Sequence, residues 1–236
     1  MTKMKAVPAN TLKMKPLLRG AAFITILAMS AVSLQAHDAT KASTLKVKFR
    51  KNNHGQVLLY WKGKIRKPMA RSFKRAIERW KGRAKGGFII SLNSSGGFVS
   101  EANKVVTLLK KLKRTRTVRT YVGRGRTCGS MCVPIFLTGN QRIAAGASLW
   151  LFHDIAGRDK NDKSRNIFKP WKTRKMFNEH FIPAGVSKVW IDDIQRKIDG
   201  SDYWMTGDEL YSSNANIITQ RRGNRVARKL KALARR

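Results

Sequence analysis

The 236-residue chain is 42% hydrophobic, which excludes a sequence too polar to bury a core and allows one domain of ordinary size with a tail. Fifty Lys and Arg against thirteen Asp and Glu give a formal charge of +37, so the partners to expect are anionic: nucleic acid, acidic polymers or lipid headgroups. Charge does not choose among them.

The first 36 residues carry Lys3, Lys5, Lys13, Lys15 and Arg19 and no acid, then a fourteen-residue apolar run from Ala21 to Leu34 and Gln35-Ala36. This order is that of a secretory signal peptide, and the run is shorter than the roughly 20 residues that span a bilayer. A periplasmic or secreted protein is expected, with an uncleaved signal acting as a membrane anchor as the alternative. Removing the segment takes away five positive charges and leaves 45 basic and 13 acidic residues, a mature charge of +32. The imbalance therefore belongs to the folded protein.

Residues 37–55 are polar and basic and are expected to form a leader, with the domain spanning 56–219. Gln56–Trp61 reads as a strand, and Met69–Trp80 follows with Met69, Phe73, Ile77 and Trp80 at helical spacing. Gly87–Leu92 is a second strand; after the break "NSSGG", Val99, Ala102, Val105, Val106, Leu109 and Leu112 recur as one helical face. Thr117–Val122 gives a third strand, Met131–Leu137 a third helix and Ser148–Phe152 a fourth strand. Strands alternating with helices imply an α/β fold with a largely parallel sheet.

Residues 155–198 look mainly helical around Pro170 and Pro183, and Asn216–Thr219 is expected as a last strand. From Gln220 to Arg236 there are eight Lys and Arg and no acid, with Val226, Leu230 and Leu233 at intervals of four and three. That is the pattern of a basic amphipathic helix, suited to an anionic membrane surface or polymer.

A serine nucleophile needs a base, a group to orient the base, and N–H donors facing the developing oxyanion. Ser130 lies in "CGSMC" at the start of an apolar helix, where the Met131 amide can face negative charge, and Gly97 lies where a strand turns into a helix. Of the four histidines, His153 ends the apolar strand "SLWLF" and begins "HDIAG". Reactive groups in parallel α/β sheets gather at such strand ends. Export would allow Cys128 and Cys132 to pair, although their spacing puts both on one helical turn; a disulfide and two free thiols both stay open.

"ISLNSSGGFVSEA", "TCGSMC" and "LWLFHDIAG" together resemble three segments of the Clp protease proteolytic subunit, within the wider Clp/crotonase-like superfamily. The resemblance covers about residues 57–212 and implies a spiral of strand-helix units. It implies Ser130 as nucleophile, His153 as general base, and Gly97 and Met131 as oxyanion donors. It also implies Asp202, in "SDYWMTGDEL", as the group that orients His153. Two departures stand out. Ser95 replaces the family's proline in the glycine turn, and Pro134 lacks the N–H that would bond the Ser130 carbonyl.

The function expected is an exported serine hydrolase, a peptidase acting on peptides or unfolded segments. An exported protein meets no cytosolic ATP-driven unfoldase, and its chemistry calls for neither cofactor nor metal. The alternative is an inactive protein of the same fold that binds anionic lipid, polysaccharide or nucleic acid through its basic surface. Oligomers are common among relatives, but the accumulated positive charge opposes ring assembly.

Overall fold

The computed structural model describes residues 43–51, 54–158 and 166–222. The segment read as a signal peptide and nearly all of the basic tail lie outside them. The order of elements begins with β1 (Thr44–Arg50), β2 (Gln56–Lys62), α1 (Met69–Trp80), β3 (Phe88–Asn93), α2 (Val99–Lys113) and β4 (Val118–Val122). It continues with β5 (Thr127–Gly129), α3 (Cys132–Phe136), β6 (Gln141–Ala145), β7 (Leu149–Phe152), β8 (Ala156–Arg158) and β9 (Asn166–Phe168). The last are α4 (Pro170–Met176), α5 (Lys188–Lys197), β10 (Tyr203–Thr206), α6 (Gly207–Ser212) and β11 (Gln220–Arg222), with a π turn at Phe177–Phe181 and a 3-10 turn at Ile182–Ala184 after α4.

A six-stranded sheet runs β1-β2-β3-β4-β6-β11 and is parallel from β2 to β11, with β1 antiparallel at one side. Its central strands carry Val57, Leu59, Phe88, Ile90 and Val118, all fully buried, as expected where helices cover a parallel sheet. The buried stripes of α1 (Met69, Phe73, Ile77) and α2 (Ala102, Val105, Leu109) are the ones the periodicity predicts. A second sheet, β10-β7-β5, is bridged to the first where Ser94, just past β3, pairs with Cys128 on β5, and it carries the candidate site.

Several expectations need correction. The stretch read as leader contains β1, so the fold begins before Gln56. Asn216–Thr219 is not a strand: Asn216 has a positive φ of 56°, Ile217 and Ile218 enter the core from a bent segment, and pairing with β6 runs over Gln220–Arg222. The first three residues assigned to a tail helix thus close the sheet. Residues 155–198 include the β8–β9 hairpin besides helices.

Candidate active site

β5 and β7 are parallel, with Gly129 beside Leu151, while β10 is antiparallel to β7, with Tyr203 opposite Phe152. One step past the last pair of each ladder, Ser130 follows β5, His153 follows β7 and Asp202 precedes β10. All three residues therefore leave the small sheet at the same end, the carboxyl end of its parallel pair, where α/β folds bind ligands.

Ser130 sits in the left-handed region at φ 49°, a conformation that costs free energy at a non-glycine residue and is held by its surroundings. Its N–H donates to the Leu151 carbonyl at 2.8 Å, and its carbonyl accepts from Val133 N–H at 3.0 Å. The second bond satisfies the carbonyl that Pro134 cannot serve. Because α3 begins at Cys132, Pro134 falls in its first turn, where a missing N–H costs no helical hydrogen bond.

The reversal at Ser130 also brings Cys128, on β5, to Cys132, the first residue of α3. Their Cα atoms are 5.2 Å apart and the sulfurs are bonded. The two do not share a helical turn as the spacing suggested. The bond closes a five-residue loop around Ser130 with both cysteines fully buried.

The glycine turn is built against this loop. Asn93 Oδ1 accepts from Thr127 N–H at 3.1 Å, Ser94 N–H donates to the Thr127 carbonyl at 2.8 Å, and Gly129 N–H donates to the Ser94 carbonyl at 2.9 Å. The Ser94 hydroxyl accepts from Gly96 N–H at 3.1 Å, an internal tie that shapes the turn with Ser95 in place of proline. At Gly96, φ is 107° and a Cβ would lie 2.6 Å from Ser130 Cβ, so only glycine lets the backbone come this close.

Ile65 donates to the Gly96 carbonyl at 2.7 Å and accepts from Phe98 N–H at 2.8 Å. Backbone groups alternate sides along an extended chain, so the Gly97 N–H points away from Ile65. Among the described residues neither the Gly97 nor the Met131 amide donates to a protein acceptor, which leaves both open to an incoming oxygen.

Ser130, His153 and Asp202 are not joined to one another by hydrogen bonds. The His153 ring is half-buried, and its Nδ1 lies 2.6 Å from the carbonyl of Asp154, while Asp202 is exposed. A carbonyl oxygen only accepts, so this contact holds the proton on Nδ1 and leaves the lone pair on Nε2, the tautomer a general base requires. The Asp154 carboxylate is buried and turned elsewhere, its Oδ2 accepting from Gly200 N–H at 3.3 Å. Residue patterns pointed to neither the Asp154 carbonyl nor the Ser94 hydroxyl. Every residue has a carbonyl, and only "NSS" before two glycines hinted at a serine-held turn.

Among the described residues no group of three or more His, Cys, Asp or Glu could hold a metal ion, and no helix is long and apolar enough to cross a membrane.

No protein-family model and no curated protein matches the sequence. Solved structures do match. A ClpP1 variant from Listeria monocytogenes is 20% identical, with 74% of this chain and 94% of that one covered at a TM-score of 0.54. A variant of the 1510-N membrane-bound stomatin-specific protease is 17% identical, with coverage of 71% and 79% and a TM-score of 0.53. The ClpP protease catalytic domain from Plasmodium falciparum is 14% identical, with coverage of 74% and 87% and a TM-score of 0.51. What they share with this chain is the fold, which is Clp protease-like.

Proposed function

We propose that the chain is an exported serine peptidase that acts without an ATP-driven unfoldase. The observation that carries this reading is the left-handed Ser130, packed against the Gly96–Gly97 turn at the sheet end where His153 and Asp202 also emerge. Ser130 Oγ attacks a peptide carbonyl as its proton passes to His153 Nε2. The Gly97 and Met131 amides stabilise the oxyanion. Collapse of the tetrahedral intermediate breaks the C–N bond, and the departing amine takes the proton from His153. Water then gives a proton to His153 and cleaves the acyl-serine ester, releasing the carboxylic acid and restoring Ser130.

Catalysis requires the His153 ring to turn so that Nε2 reaches Oγ, a closure that free enzymes often complete only with substrate bound. In this scheme Asp202 takes over Nδ1 from the Asp154 carbonyl as the ring turns. Positive charge on the domain and its tail would hold the enzyme near anionic lipid or polymer, where loose peptide segments are its substrates.

Labelling by a fluorophosphonate probe tests the scheme. Wild-type protein is expected to label, Ser130→Ala not at all, and His153→Ala about 100-fold more slowly or worse. Folded wild-type protein that does not label overturns the peptidase and favours the anion-binding alternative, for which the Nδ1 contact with Asp154 is a resting arrangement that never opens.

A further inference from the structure

We propose that the cavity between the carboxyl-terminal half of α2, the end of α3 and the π turn is a binding site for phosphate, as the free ion or as a small phosphomonoester. The cavity measures about 150 Å³, and Lys110, Lys113, Arg142 and His180 line it with no carboxylate among the lining residues. Four nitrogen-bearing side chains from three separate elements converge there. Pro134 of α3 lines the cavity together with Leu137 and Thr138 beyond its end, but none of Ser130, His153, Asp202, Gly97 and Met131 does, so the two sites are distinct.

Two buried nitrogens there lack partners. Arg142 is only 7% exposed, and its terminal nitrogens are committed to the Ala184 and Asn216 carbonyls, but its Nε–H bonds to nothing. His180 Nδ1 is also buried and unpaired. Buried polar atoms are almost always satisfied, so two left unpartnered on residues that line one cavity point to a missing ligand there. Burial holds the pKa of both groups below their ordinary values, and the Lys110 charge pushes that of His180 lower still against the opposing pull of the neighbouring Glu179 carboxylate. An anion reverses both effects.

Phosphate suits this chemistry better than water, because only an anion offsets so many cations, and a tetrahedral oxyanion can accept from several directions at once. The Arg142 guanidinium is fixed in advance by its two carbonyl contacts, so little side-chain freedom is lost on binding. The π turn that carries His180 is a distortion often found where a helix serves a site.

The test is a titration of the full chain, with 15N-labelled histidine, by inorganic phosphate and separately by glycerol 3-phosphate, at ionic strength held constant with sodium chloride. A saturable shift of the His180 ring nitrogens is expected. The exposed pair Lys110→Gln/Lys113→Gln, which leaves the fold and fluorophosphonate labelling unchanged, is expected to weaken it about tenfold or more through two lost charge-assisted contacts. Glycerol 3-phosphate binding at least as tightly as phosphate makes the monoester the ligand class; phosphate binding more tightly makes it the free ion. Shifts that never saturate with either ligand, or undiminished affinity in the double variant, overturn the proposal.

Discussion

At Gly96, backbone conformation and the candidate nucleophile depend on one another directly. Gly96→Ala would place a methyl 2.6 Å from Ser130 Cβ at a φ of 107°, so it should cost about 1–3 kcal/mol and displace the serine. We expect a lower Tm and lost probe labelling, measured on the same preparation. His180 gives a pH signature. Its folded pKa lies below 6.5, chiefly through burial, so the unfolded chain takes up the proton first. Its contribution is complete above pH 6.5 and is lost as pH falls toward the folded value; urea titrations of His180→Gln should show a flatter acid slope than wild type. At this scale Ser130 stood out at a helix start and His153 at a strand end, whereas Asp202 was supplied only by the family resemblance of its segment. The sequence hid Arg142 and His180, since one arginine among fifty Lys and Arg carries no mark of burial.

Among the elements, α6 starts with a complete capping box. The Thr206 hydroxyl accepts from Glu209 N–H at 3.2 Å, and the Glu209 carboxylate accepts from Thr206 N–H at 2.7 Å, which holds the Glu209 pKa below its ordinary value. Thr206→Ala should cost about 1 kcal/mol in chemical denaturation. β10, which Asp202 immediately precedes, runs straight into this cap, so labelling by the probe should slow as well. Long helices with one apolar stripe were legible: α1 spans the residues its spacing predicts. Short strands were not. β1 does alternate, with Leu45, Val47 and Phe49 between Lys46, Lys48 and Arg50, but its basic residues made it look like part of a polar leader. β6 begins Gln141-Arg142 and its apolar part, Ile143-Ala144-Ala145, is too short to mark a strand, while its arginine is held inside by backbone carbonyls contributed from distant segments.

For the whole molecule, a charge of +37 means that compaction works against self-repulsion. Seven ion pairs occur among the described residues, most of them exposed and worth little each, so most of the cationic surface is uncompensated. Raising sodium chloride from about 20 mM to about 300 mM should screen that repulsion and raise Tm by about 2–4 °C, the equivalent of about 1 kcal/mol at this size. A fall in Tm would mean that specific pairs outweigh the general field. The parallel α/β class was legible from alternating strands and helices, whereas the split into two sheets was not. Which strand pairs with which depends on contacts far apart in sequence, such as β11 with β6.

The larger sheet ends in β1 on one side and β11 on the other, and both margins carry cations: Lys46, Lys48 and Arg50 on the first, Arg221 and Arg222 on the second. Unpaired strand margins are where foreign chains graft on and fibrils seed, and like charges facing each other across such a seam discourage it. Like charges at both flanks thereby oppose lateral sheet growth in a crowded solution of this protein.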